Sequence, residues 1–283
     1  MSVRKAVIPA AGLGTRLLPL TKEIPKEMLP IFDNRGGVSF KPLIQLIFER
    51  LYDAGVREFC IVTGRGKRAL EDHFSRDNGY LAFLESMGRQ GLTGRLKSLY
   101  DMVENVKLMW INQSKPTGLG AAVALAEPFA RDEPFIVHAG DTYIASNGYI
   151  EKMVMVFEKV KPEALFLTAR VKDPRSYGIV EEYSVEDEGL YRVYRVVEKP
   201  ESPKSNLAIV PVYVFKPSVF QALNRVKPGA GGEVQLTDAI QMLVENHPVY
   251  AFELEKGEDY VDVGRPESYL EALEKSHRRC VAE

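Results

Sequence analysis

Apolar positions along the chain follow two rhythms that change near residue 148. Before it, short apolar runs alternate with longer amphipathic stretches. Residues 5–10 read as a buried strand running into glycines. Residues 42–54 place Ile44, Ile47, Phe48 and Leu51 on one helical face, with Pro42 in the first turn and Gly55 as the cap beyond the end. Strands are predicted at 56–63, 106–112 and 134–139. Helices are predicted at 67–76, at 80–103 with a break in 88–94, and at 119–127. Strands alternating with helices imply a mostly parallel sheet with helices on both faces. After Gly148 a helix over Tyr149–Val160 leads to a strand at 164–171, then shorter strands at 178–182, 191–198 and 208–215. Positions 192–196 alternate polar and apolar, as a half-exposed antiparallel strand does. Helices at 217–226 and 234–245, strands at 249–254 and 260–263, and an amphipathic helix at 266–277 complete the reading. The fold class expected is α/β: a mixed, mostly parallel central sheet flanked by helices, with a small antiparallel portion. No internal repeat or flexible linker divides the chain, so residues 1–283 are expected to form one domain.

Composition adds exclusions. Of 283 residues, 45% are hydrophobic and 27% charged, ordinary for a globular protein and too apolar for a disordered chain. Thirty-seven basic residues against 39 acidic ones leave a net charge of −2, which gives no general attraction to nucleic acid or an anionic membrane. Cys60 and Cys280 cannot build a disulfide framework, and Cys60 sits in an apolar run as a small hydrophobe. The four histidines lack metal-ligand spacing. No apolar run reaches the roughly 18 residues that span a bilayer. The expected location is the reducing cytoplasm.

The first strand runs into Ala10-Ala11-Gly12-Leu13-Gly14-Thr15-Arg16. Two glycines let backbone approach a ligand and expose amides, and successive amides make an anion nest suited to phosphate. Thr15 adds a hydroxyl, and Arg16 a planar charged fork. A Walker A loop would need Gly-Lys-Ser/Thr, which is missing, and a dinucleotide fingerprint would need a small residue where Leu17 stands. The following segment holds Pro19, Pro25 and Pro30, which oppose a long helix and leave Lys26 free to fold back toward the glycines.

The run Ala-Gly-Leu-Gly-Thr-Arg followed by Ile-Pro-Lys-Glu-Met-Leu-Pro (residues 24–30) resembles the signature of sugar-nucleotide pyrophosphorylases, which join a nucleoside triphosphate to a sugar 1-phosphate. The resemblance continues in order through Pro42-Leu43-Ile44-Gln45, residues 116–123, Gly140-Asp141, Glu198-Lys199-Pro200, residues 205–210 and residues 232–240. It is strongest to the bacterial uridylyl branch. It implies a Rossmann-like nucleotidyltransferase fold whose antiparallel portion holds the sugar, and a reaction of UTP with glucose 1-phosphate giving UDP-glucose and pyrophosphate. Position by position, it implies Arg16, Lys26, Asp141 and Lys199 as catalytic, with Mg2+ on Asp141 and Asp262. It implies Ala10, Ala11, Gly12, Leu13, Gly14, Thr15, Glu27, Gln113, Gly118 and Gly140 at the nucleotide, and Gly178, Glu198, Lys199 and Asn206 at the sugar. It also implies a homo-dimer or homo-tetramer, to which the C-terminal helix with Tyr269, Leu270 and Leu273 is a candidate contributor.

The chemistry agrees with these residue types. The nucleophile, a phosphate oxygen, is already an anion, so no serine, cysteine or histidine base is needed. Bringing two polyanions together calls for cations and a metal. A Gln at position 113 can both donate to and accept from the imide of uracil or thymine alike, so the choice between UTP and dTTP stays open. A thymidylyltransferase, or an enzyme using both nucleotides, is the rival within the class. A non-catalytic regulatory subunit on the same fold is the rival outside it, and the presence of Arg16, Lys26, Asp141 and Asp262 speaks against that. An NAD-dependent oxidoreductase fails at Leu17. Residues 33–42 are polar and glycine-rich, longer than the usual link at this place, and read as a mobile loop near the site.

Overall fold

The computed structural model describes residues 3–229 and 232–282. Its first half runs β1 (Lys5–Pro9), β2 (Pro30–Asp33), β3 (Ser39–Pro42), α1 (Leu43–Asp53), β4 (Glu58–Thr63), α2 (Arg68–Phe74), α3 (Asn78–Ser86), α4 (Gln90–Glu104), β5 (Lys107–Asn112), α5 (Leu119–Ala124), α6 (Glu127–Ala130) and β6 (Phe135–His138). The second half runs β7 (Thr142–Ile144), α7 (Tyr149–Val160), β8 (Ala164–Arg170), β9 (Gly178–Asp187), β10 (Leu190–Glu198), β11 (Leu207–Phe215), α8 (Ser218–Leu223), α9 (Leu236–Val244), β12 (Val249–Glu253), β13 (Tyr260–Asp262) and α10 (Pro266–Ala282).

Nine strands form one sheet in the order β5-β4-β1-β6-β11-β8-β12-β10-β9. The block β5-β4-β1-β6 is wholly parallel, with Val7 registered between Cys60 and Val137. Strand β11 runs against both β6 and β8, and β10 against both β12 and β9. The period of two explains why the parallel strands read as unbroken apolar runs. In β1, Ala6 and Ile8 enter one core with Ile47 and Phe48 of α1 and Met153 of α7. Val7 enters the other, with Val123 of α5, Phe220 of α8 and Ile240 of α9. Strand β4 repeats the division, with Phe59 and Ile61 on one side and Cys60 and Val62 on the other. Burial pushes the Cys60 thiol up to about 12, consistent with an inert packing residue. None of the described helices is long and apolar enough to cross a membrane.

Most predicted elements stand within a few residues of their places, and the exceptions have local causes. The stretch 119–127 divides into two helices because Pro128 opens a new one. The 80–103 stretch breaks at Gly88, whose φ of +71° turns the chain, so Gly91 and Gly94 lie inside α4. Strand β9 extends to Asp187 because its second half pairs with β10. The 33–42 segment is corrected most. It belongs to a β2–β3 hairpin, with Phe32 against Phe40 at 4.3 Å and Phe32 against His277 of α10 at 4.9 Å. Arg95 donates to the carbonyls of Gly36 and Gly37, both at 3.1 Å.

Candidate active site

Strand β1 lies between β4, the next strand of this sheet along the chain, and β6, which follows much later. In open α/β sheets ligands bind where the strand order reverses in this way, beyond the carboxyl ends. A cleft of about 540 Å³ opens there, and residues 33–41 line no part of it.

The wall after β1 carries the charges. Gly14, at φ +66°, turns the chain, and Thr21 Oγ1 donates to its carbonyl at 2.7 Å. A Cβ on Gly12 would lie 3.2 Å from Lys26 Nζ, so the glycine loop rests on the lysine that the prolines fold back. The Lys26 ammonium donates to Asp141, in the short turn between β6 and β7. Arg16 Nη2 stands 3.6 Å from Asp262 Oδ2 and lies across Gly264, where a Cβ would fall 2.6 Å from it. Asp141 and Asp262 meet because β7 and β13 pair: Asp262 is in register with Thr142, and the Val263 N–H donates to the Asp141 carbonyl at 2.9 Å. Ala11, Leu13 and Thr15 line the same wall.

Three nearby candidates are held by the fold itself. The Ala10 N–H is taken by the Val62 carbonyl at 2.8 Å, and the Gly140 N–H by the Pro9 carbonyl at 2.9 Å, so both N–H groups join strand ends beneath the cleft. Glu27 borders the cleft but is 1% exposed, and its carboxylate accepts from Lys67 Nζ at 2.6 Å. That makes it a buried brace rather than a group free to meet a nucleotide. Lys67, one basic residue among many in the sequence, carried no motif that would mark it.

Electrostatics divide the two aspartates. Burial raises the Asp141 carboxyl, but the charge and hydrogen bond of Lys26 more than reverse this and hold it below the usual carboxylate range. Burial and the negative charge of Asp141 hold Asp262 above its usual value, against the pull of Lys26 and Arg16. Burial disfavours the Lys26 ammonium, yet Asp141, Glu27 and Asp262 together keep it more firmly protonated than usual. A carboxylate whose proton affinity is raised by a second carboxylate beside it marks a place for added positive charge. Their hard oxygen donors suit a divalent cation of the magnesium type. Among the described residues no group of three His, Cys, Asp or Glu side chains could hold a metal. The remaining positions on such an ion would therefore fall to phosphate oxygens and water.

The opposite wall is nearly neutral. Gln113 is buried, and its side-chain amide reaches the Gly118 carbonyl at 3.4 Å. Gly118 has φ +101°, and a Cβ there would meet the Val234 carbonyl at 2.7 Å. That carbonyl also accepts from the Gly120 N–H, and the Val234 N–H donates to Thr117, so the loop before α5 is pinned to the segment before α9. Glu198, at the end of β10, accepts from Thr237 Oγ1 at 2.7 Å, and a Cβ on Gly178 would strike the same hydroxyl at 2.7 Å. Lys199 has φ +42°, an unusual angle for a side-chain-bearing residue, held by its N–H donating to the Tyr177 carbonyl. Its ammonium is 3.2 Å from Glu198 Oε1. Thr237 lies in the 232–240 segment that marked the resemblance, so its signal was present in the sequence without a role attached. Asn206 is exposed outside the cleft lining, and its side-chain oxygen accepts from Arg170 at 3.2 Å.

Comparison with known proteins adds three findings. Residues 5–279 match the nucleotidyl transferase family. The chain is 41% identical over 272 residues to UTP–glucose-1-phosphate uridylyltransferase of Bacillus subtilis strain 168, covering 95% of this chain and 89% of that one. Among solved structures, UDP-glucose pyrophosphorylase complexed with UDP-glucose superposes with a TM-score of 0.85 at 32% identity over 98% of this chain and 99% of that one. A UTP-bound UGPase from Acinetobacter baumannii gives 0.82 at 29% identity over 99% of each chain.

Proposed function

The chain belongs to the nucleotidyl transferase family, and from that premise we propose how its residues carry the reaction. It is an enzyme that transfers the uridylyl group of UTP to glucose 1-phosphate, giving UDP-glucose and pyrophosphate. In our reading a phosphate oxygen of the sugar attacks the α-phosphorus of UTP in line. The new P–O bond forms as the bond to the β-phosphate oxygen breaks, and its electron pair leaves with pyrophosphate. The observation that carries the reading is convergence: Arg16, Lys26, Asp141 and Asp262 face Glu198, Lys199 and Thr237 across one cleft.

The amides of residues 11–14, the Thr15 hydroxyl and the Arg16 guanidinium receive the triphosphate, as an anion nest extended by a fork. Lys26 neutralises charge that builds on the α-phosphate, and Lys199 holds the phosphate of the sugar. Such preorganised charges, aimed where charge develops, are commonly the largest contribution to catalysis. Gln113 and the Gly118 backbone take the uracil edge. Gly178 lets the sugar approach the sheet, and Glu198, fixed by Thr237, accepts from its hydroxyls. Enzymes of this family generally use a divalent metal; we assign Mg2+ to Asp141 and Asp262, where it would neutralise phosphate charge as a Lewis acid. Since residues from Pro9 to Gly264 line the cleft, we read the whole chain as one catalytic domain. On the resemblance, we place it in the cytoplasm as a homo-dimer or homo-tetramer.

The test is pyrophosphate release with Mg2+, using UTP or dTTP against glucose 1-phosphate, galactose 1-phosphate or no sugar. UTP with glucose 1-phosphate is expected to give a far higher kcat/KM than any other pair. Equal use of dTTP would overturn the nucleotide assignment, and no release with any pair would overturn the catalytic reading.

A further inference from the structure

Lys67 stands outside the cleft lining, immediately before α2, yet it is as buried as the core. Its ammonium lies 2.6 Å from Glu27 Oε2. Glu27 shares a short helical turn, Lys26–Met28, with Lys26. That turn is closed by the Met28 N–H on the Pro25 carbonyl at 2.8 Å and the Leu29 N–H on the Lys26 carbonyl at 3.1 Å. Glu27 also packs under the loop that carries Asp141: a Cβ on Gly140 would lie 3.2 Å from Glu27 Cγ and 3.1 Å from the Pro9 carbonyl. The charges therefore alternate from the core to the cleft, as Lys67, Glu27, Lys26 and Asp141.

A buried carboxyl stays ionised only beside a cation. Glu27 has two within reach of its field, Lys67 and Lys26. Only Lys67 is spare, because Lys26 is the group whose ammonium reaches Asp141. Stability alone explains the pair poorly, since buried ion pairs are often no more stabilising than apolar residues of the same size. We propose that Lys67 is a positioning residue for uridylyl transfer. By satisfying Glu27 it keeps the Lys26 ammonium aimed at Asp141 and the α-phosphate. Without Lys67, Glu27 would draw Lys26 back toward the core. The inference rests on the function proposed above.

The experiment compares K67M, E27Q and K67M/E27Q with the unmodified enzyme, measuring kcat, KM for UTP, KM for glucose 1-phosphate and Tm. K67M is expected to lower kcat by at least about tenfold while both KM values stay within about threefold, since the lost interaction acts on developing charge. The double variant removes both buried charges and is expected to recover most of the lost kcat, because nothing then competes for Lys26. A packing role for Lys67 would not produce that rescue. A double variant that folds but is no faster than K67M would overturn the proposal, as would folded K67M with normal kcat. Should K67M fail to fold, near-normal turnover by the folded double variant supports the proposal, and inactive folded double variant overturns it. An unmodified enzyme inactive in the same assay would instead bring down the functional reading and this inference with it.

Discussion

On the wall of the cleft that follows β1 and β6, Lys26 is held by Asp141 and Arg16 by Asp262, with Lys67 and Glu27 paired beneath. On the wall built from β9, β10 and the start of α9, Thr237 donates to Glu198, and Lys199 is more than half exposed. The first wall is a coupled lattice of charges in which each carboxylate shifts its neighbours. The second is a set of local hydrogen bonds in a wetter setting. A coupled, partly buried lattice is suited to a polyanion whose charge moves during reaction. Local hydrogen bonds are suited to telling one sugar hydroxyl from another. The charged wall should therefore govern turnover, and the polar wall the affinity for the sugar.

The largest effect should come from Asp141→Asn. It removes a carboxylate from the lattice and frees Lys26, and kcat should fall by about 10²–10³-fold with the circular dichroism spectrum unchanged. Near-normal turnover in Mg2+ would remove Asp141 from the metal site and with it the contrast between the walls. Gly264→Ala comes next. The added Cβ cannot share space with Arg16 Nη2 2.6 Å away, so the guanidinium must move. Loss of its charge-assisted bonds to phosphate should raise KM for UTP by about tenfold. Unchanged UTP kinetics would show that Arg16 does not touch the nucleotide. Gly118→Ala tests the seam between the walls. Its φ of +101° and the Val234 carbonyl at 2.7 Å both oppose a side chain. Chemical denaturation should show a loss of about 2 kcal/mol, and KM for UTP should rise more than KM for glucose 1-phosphate. The smallest effect belongs to Thr237→Val, which leaves Glu198 without its anchoring hydroxyl. KM for glucose 1-phosphate should rise by about fivefold, as expected for one hydrogen bond, with kcat within about twofold. A kcat loss as deep as that of Asp141→Asn would show that the walls do not divide the labour in this way.

The parallel half of the sheet, the glycine loop and the fold-back of Lys26 were legible in the chain itself. Strands buried on both faces must be apolar throughout, glycines mark where backbone comes close to a partner, and three prolines oppose a long helix. Arg16, Lys26, Asp141, Asp262, Gln113, Gly118, Gly178, Glu198 and Lys199 were singled out from residue type and resemblance, and the fold brings all of them to one cleft. What the chain could not show was which groups had already spent their hydrogen bonds. Ala10 and Gly140 look like ligand-facing residues until Val62 and Pro9 are seen to take their N–H groups. Nor could the chain show that Arg170 donates to the side-chain oxygen of Asn206. Residues 33–41 read as loop because their strand partners face each other and α10, whose register is set by packing between segments more than 200 positions apart. Lys67 is the clearest case. A lysine is by default a solvated surface group, and only the fold, by burying Glu27 beside it 40 positions away in sequence, gives its charge a place to act.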